Sequence, residues 1–170
     1  MEGIRGAGEA SCSIAKVTAT PGSGGQLSSV AYLFDTDAIS EVLKRKPAAA
    51  YLRWLRTVAR VDQFTSAVVV GELYKGAFRS ADSARHLENI ERRVLPSLSV
   101  LSYDVATARV YGEVRARLEA TGRVLADADL QIAATSLHHD LELVTGNLRH
   151  FRRVPGLRVN PILAEARPRH

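Results

Sequence analysis

Short apolar runs alternate with amphipathic stretches along the chain, and the alternation predicts strands followed by helices. Val30 to Phe34 is apolar throughout, as a buried strand would be, and Ile39, Val42 and Leu43 then take helical spacing behind an N-cap at Asp35, Thr36 or Asp37. That helix is expected over Thr36–Lys46, ended by Pro47, and a second over Ala48–Arg60. Gln63–Thr65 reads as a short strand, and Ser66 caps a helix running to Phe78 whose three consecutive valines predict burial around much of its circumference. Ser80–Val94 is charged and amphipathic, the pattern of a solvated helix stopped by Pro96. Leu98–Leu101 is the next strand, and Asp104 caps a helix over Val105–Thr121 that stops at Gly122. A further helix opens at Leu125, and Leu141–Thr145 is the last strand. The order predicts one α/β domain with a mainly parallel central sheet flanked by helices, without internal repeats.

Composition narrows this picture further. The 170 residues are 46% hydrophobic and 24% charged, enough for one domain with a proper core. Residues 1–29 hold six of the twelve glycines and five serines without an apolar period, so they are expected to be a disordered N-terminal extension. A net charge of +5 and a pI near 9.7 favour a polyanionic partner such as nucleic acid. The single cysteine, Cys12, excludes an internal disulfide framework and a multi-cysteine zinc site, and a cytoplasmic location is the default expectation. No apolar run approaches the roughly 18 residues of a membrane span, and the N-terminus lacks a signal-peptide core.

The candidate chemistry lies in oxygen-bearing residues placed against the local pattern. Asp35 falls at the carboxyl end of the first strand, where open parallel sheets form their crevices; capping the next helix is the alternative reading. Glu72 follows the three valines, and a charge there calls for a cation, either a salt-bridge partner such as Lys75 or a metal ion. Asp127 and Asp129 occupy the first turn of a helix, where acids are favoured by the dipole; standing two apart, they face different sides, so one of them at most enters a shared site. Asn147 follows the last strand. Converging carboxylates repel unless a proton or divalent cation intervenes, and hard oxygen donors favour magnesium or manganese over zinc. Other chemistries lack their patterns: His138 and His139 form no His-Glu-x-x-His motif, and no nucleophile elbow or Walker loop occurs in the fold. Trp54, the sole tryptophan, reads as core packing or as a partner-binding anchor.

Four ordered stretches carry a resemblance. Leu33-Phe34-Asp35-Thr36-Asp37, the run from Thr65 to Ala77 around Glu72, Asp129-Leu130-Gln131-Ile132-Ala133-Ala134-Thr135, and Leu143 through Leu157 together resemble the PIN-domain ribonucleases, specifically the VapC-type toxins of bacterial toxin-antitoxin pairs. The resemblance places a PIN-like nuclease domain over residues 30–163 and a basic C-terminal tail over 164–170. It implies a magnesium-dependent endoribonuclease (manganese as an alternative ion) that hydrolyses RNA, is usually a homodimer and is held inactive by a cognate antitoxin. Asp35, Glu72 and Asp129 match the family's acidic metal positions and Asn147 a fourth, while Thr36 or Thr145 would orient a carboxylate or water. Arg149, Arg152 and Arg153 are expected to contact RNA phosphates. Asp37 and Asp127 depart from the pattern and read as caps or outer neighbours of the site. The rival expectation is a PIN-like fold without catalysis, an RNA-binding or assembly module. The first two helices, around Tyr51 and Trp54, are the expected antitoxin surface.

Overall fold

The computed structural model describes residues 30–167. The expected extension over residues 1–29 and the last three residues of the basic tail lie outside them. Five strands, β1 (Tyr32–Phe34), β2 (Gln63–Ser66), β3 (Ser99–Leu101), β4 (Glu142–Val144) and β5 (Val159–Asn160), pair in the order β3-β2-β1-β4-β5, every pair parallel. β1 is central: Leu33 lies opposite both Phe64 and Leu143, and Leu33 and Phe34 are buried. A strand covered on both faces needs an unbroken apolar run, which is what the sequence places there.

The chain steps outward from β1 to β2 and β3, then crosses back to β4 on the other side. The order therefore reverses between β1 and β4, and the crevice of an open α/β sheet forms outside the strand ends at such a point. Asp35 and the Thr145–Asn147 loop leave those two ends.

Eight α-helices cover the sheet among the described residues: α1 (Thr36–Leu43), α2 (Ala49–Leu55), α3 (Ala67–Phe78), α4 (Ser83–Asn89), α5 (Val105–Ala120), α6 (Asp127–His138), α7 (Leu148–Phe151) and α8 (Ile162–Ala166). Ser66 and Asp104 cap α3 and α5 through side-chain oxygens that accept the amides of Val69 and Thr107. Gly122, at φ +66°, lets the chain leave α5 while its amide and that of Arg123 return to Glu119 and Leu118. α5 packs along α6, and α8 against α2.

Several elements differ from the sequence pattern. α1 ends at Leu43 rather than Lys46 because the buried Glu41 gathers the following turn: its carboxylate accepts from Lys44 Nζ (2.6 Å) and the Ala48 amide (2.9 Å). α3 is amphipathic rather than buried all round, with Val69, Leu73 and Ala77 inward at period four. The stretch expected as one solvated helix ends in a π turn over Ile90–Val94, which buries both terminal residues, and a 3-10 turn over Leu95–Ser97. β5 and α8 had no visible pattern; Asn160 Oδ1 accepts the Ile162 amide, and α8 buries Leu163 completely.

Trp54 belongs to the core, edge-on to Tyr32 (ring centroids 5.2 Å) and stacked on Tyr51 (5.9 Å). Tyr51 is fully buried and donates its hydroxyl to the Ala38 carbonyl, while Trp54 is partly buried against it, in line with the core-packing reading of the tryptophan. Among the described residues no helix is long and apolar enough to cross a membrane.

Candidate active site

Asp35 is the N-cap of α1, and its Oδ1 accepts the Ala38 amide at 2.7 Å. Capping and a place in the cleft, alternatives on sequence grounds, coincide in one residue, since Asp35 caps α1 and also lines the cleft after β1. The Thr145 hydroxyl donates to the same carboxylate and accepts the Asn147 amide at 2.9 Å, so the loop after β4 fixes the acid after β1. Asp35 is only 5% exposed. Burial pushes its pKa up to about 7; the Thr145 and Ala38 donors pull it down, and the charges of Asp37 and Asp129 add to the rise.

Glu72 projects from α3 and is half-buried. It forms no ion pair among the described residues; its Oε2 instead accepts a very short hydrogen bond from the Thr36 hydroxyl, which ties α3 to the first residue of α1. Asp129, in the first turn of α6, meets His150 of α7, with Oδ2 3.2 Å from Nδ1. Asn147 occupies the N-cap position of α7. Asp35, Glu72, Asp129 and Asn147 together line one cleft of about 270 Å³, with Thr36, Asp37, Ile132 and Phe151. All four residues singled out from the sequence are thus brought together.

The two departures from the family pattern part company. Asp127 turns to the opposite side of α6, as a spacing of two requires, where it pairs with Arg115 and accepts from the Tyr111 hydroxyl at 3.1 Å. Asp37 stays at the cleft, but its carboxylate is held by Arg167. Arg149, Arg152 and Arg153 are exposed on α7 and the turn after it, and none forms an ion pair among the described residues.

A second cleft, about 540 Å³, shares Thr36, Asp37 and Glu72 with the first and runs along α3 past Lys75, Gly76 and Arg79. Glu72, Lys75 and Arg79 stand at i, i+3 and i+7, one helical face, and that spacing was the available signal for the two cations. His150 and Arg167 had none, because their partners lie 21 and more than 100 residues away.

The donor set suits a hard divalent cation. It is all oxygen apart from His150 at the rim, and Asp35 is a buried carboxylate short of a counter-charge. Among the described residues, no three acidic or histidine side chains converge as they stand, because Glu72 is turned to Thr36 and Asp129 to His150.

Comparisons with known proteins agree with this fold. The family model described as PIN domain matches residues 32–157. The chain is 34% identical over 127 residues to a protein of Haemophilus influenzae named Ribonuclease VapC2, covering 75% of this chain and 94% of that one. It is 35% identical over 127 residues to the tRNA(fMet)-specific endonuclease VapC of Shigella flexneri, with the same two shares. In structure it is similar to VapBC2 from Rickettsia felis, solved bound to a DNA fragment from its promoter, with a TM-score of 0.71, 25% identity, and 77% of this chain and 98% of that chain covered.

Proposed function

The chain belongs to the PIN-domain family, among its VapC-type ribonucleases, and from that premise we propose that Asp35, Glu72, Asp129 and Asn147 form a divalent-metal site, with Mg2+ as its ion and Mn2+ as a substitute. The protein is an endoribonuclease that hydrolyses RNA and acts as the toxin of a toxin-antitoxin pair. The observation that carries the site assignment is Asp35: a buried, under-neutralised carboxylate at the strand-order reversal, facing two further acids across one cleft.

Hydrolysis needs no protein nucleophile: water adds at phosphorus, the P–O bond breaks, and the departing oxygen takes up a proton. A divalent ion held by the acids supplies Lewis acidity to this reaction. The residues do the rest. Thr145 orients Asp35 and couples it to the Asn147 loop, Thr36 orients Glu72, and His150 lies where it reaches the Asp129 carboxylate. Because Asp35 holds its proton up to about pH 7 in the ion-free protein, ion binding must expel that proton, and affinity rises with pH through this range.

An acidic cleft repels RNA, so cations must hold the phosphates. Lys75 and Arg79 line the groove that leaves the acids, and Arg149, Arg152 and Arg153, exposed on α7 and the turn after it beyond Asn147, are further candidates. Replacing Lys75 and Arg79 by alanine is expected to lower the salt dependence of single-stranded RNA binding by roughly 1.4 in the log–log slope, at about 0.7 for each phosphate no longer neutralised. It should raise KM far more than it changes kcat. An unaltered slope would remove these two residues from the RNA path.

For the antitoxin, an apolar recess of about 300 Å³ between α1 and α2, lined by Ile39, Val42, Leu43 and Leu55 with Arg93 at its edge, offers a seat for a short apolar segment. A homodimer is the expected toxin assembly.

The test of the metal assignment is cleavage of RNA by purified protein after EDTA treatment. Activity should vanish and return with Mg2+ or Mn2+. Undiminished turnover in excess chelator would refute it, and RNA binding without turnover under all ions would favour the non-catalytic module.

A further inference from the structure

Asp37 is out of keeping with its position. It lines the acidic cleft two residues from Asp35, and its charge contributes to the raised pKa there, so by location it is a fourth carboxylate for any cation. Yet both of its oxygens are taken by one guanidinium: Arg167 Nη1 donates to Oδ2 at 2.8 Å and Nη2 to Oδ1 at 2.7 Å. The same side chain donates from Nε and Nη2 to Glu41 Oε2, at 3.0 and 2.8 Å. Burial would raise the Glu41 pKa, but Lys44, Arg167 and the Ala48 amide together hold it down at about 2, so Arg167 faces an anion there as well as the Asp37 carboxylate. A side chain on Gly146 would overlap both Asp37 Oδ2 and Arg167 Nη1. The ion pair is therefore packed on the backbone between Thr145 and Asn147, the loop that serves the site.

Resting on the metal-site reading above, we infer that Arg167 is a positioning residue of that site, which clamps Asp37 in a bidentate pair and so confines metal ligation to Asp35, Glu72, Asp129 and Asn147. A guanidinium is suited to this because its planar fork matches a carboxylate and its charge persists at every working pH. The clamp also limits the negative charge that an incoming phosphodiester meets. Without it, Asp37 would be free to turn to the ion, giving a more acidic and tighter centre.

A double-mutant cycle read as Mn2+ binding tests this. Arg167→Ala alone would strip a partner from the buried Glu41, so the cycle is built on Glu41→Gln, which needs no cation. Four whole proteins are compared by Mn2+ electron paramagnetic resonance and calorimetry, with circular dichroism to verify folding: E41Q, E41Q/D37N, E41Q/R167A and E41Q/R167A/D37N. With Arg167 present, Asp37→Asn should alter the Mn2+ Kd by less than about twofold, as for an uncoupled site. Removing Arg167 should tighten binding about tenfold, the scale of one added charged ligand, and Asp37→Asn should then reverse the gain. A Kd unmoved by Arg167→Ala overturns the inference. So does an equal effect of Asp37→Asn in both backgrounds, the signature of a field rather than a gated ligand. Should E41Q/R167A not fold, Asp37→Asn in the otherwise natural chain decides: a tenfold loss of Mn2+ affinity with Arg167 in place overturns the clamp. Absence of Mn2+ binding by natural and E41Q proteins alike would instead remove the metal centre itself, and the clamp with it.

Discussion

Asp35→Asn is expected to reduce RNA cleavage by at least about a thousandfold while leaving the fold intact. Stabilising charge at a transferring phosphate is worth several kcal/mol, and each 1.4 kcal/mol is a factor of about ten in rate. Asparagine keeps the side-chain oxygen that accepts the Ala38 amide, so α1 retains its cap and the loss falls on the missing charge. Asp129→Asn should behave similarly. Asp127→Asn is the contrast: its carboxylate faces Arg115 and Tyr111 on the far side of α6, and cleavage should stay within a fewfold of the natural protein. Single-turnover assays on one RNA decide the matter. Substantial cleavage by both Asp35→Asn and Asp129→Asn would reject the site, and a large loss in Asp127→Asn would relocate it.

The second large effect has the opposite sign. In the ion-free protein Asp35 has a pKa of about 7, raised from an ordinary value of 3.8 chiefly by burial. A group whose folded pKa exceeds its unfolded one contributes fully to stability below the unfolded value, and that contribution is lost as pH rises through the folded value. Between pH 4 and 7 the unfolded chain releases this proton while the folded protein retains it. A gap of roughly three units corresponds to a cost on the order of 4 kcal/mol at pH 8. Asp35→Asn escapes the cost, so with EDTA present it should melt higher than the natural protein at pH 8, by roughly 10 °C for a chain of this size. The two should converge towards pH 4. Mg2+ should raise the melting temperature of the natural protein alone. Equal melting curves at pH 8 in EDTA would contradict this account of Asp35.

The acids were legible in the sequence because each broke a local rule: Asp35 at the end of a buried strand, Glu72 in an apolar helix, Asn147 at another strand end. Their ordered resemblance to PIN-domain ribonucleases then joined them. What sequence could not separate was capping from a place in the cleft at Asp35, since the one residue does both. Asp37 was harder still. Its role depends on Arg167, one of six arginines after Asn147, and the contact spans 130 residues without any periodicity to reveal it. The two-residue β5 is too short to carry a pattern, and Ile90 and Val94, four apart, fit an α-helix as well as the π turn they form.

The strand order also has a consequence for the cell that makes this toxin. β1, β2 and β3 leave the ribosome before β4, so the edge of β1 that pairs with β4 has no strand partner until about 110 residues later. At about 5–20 residues per second, that interval lasts several seconds or more. Asp35 and Glu72 exist throughout it without Asp129, the Thr145 hydroxyl or Asn147. A chain that has not yet reached Asn147 therefore lacks part of the proposed site, and RNA cleavage is expected only from chains extended beyond it.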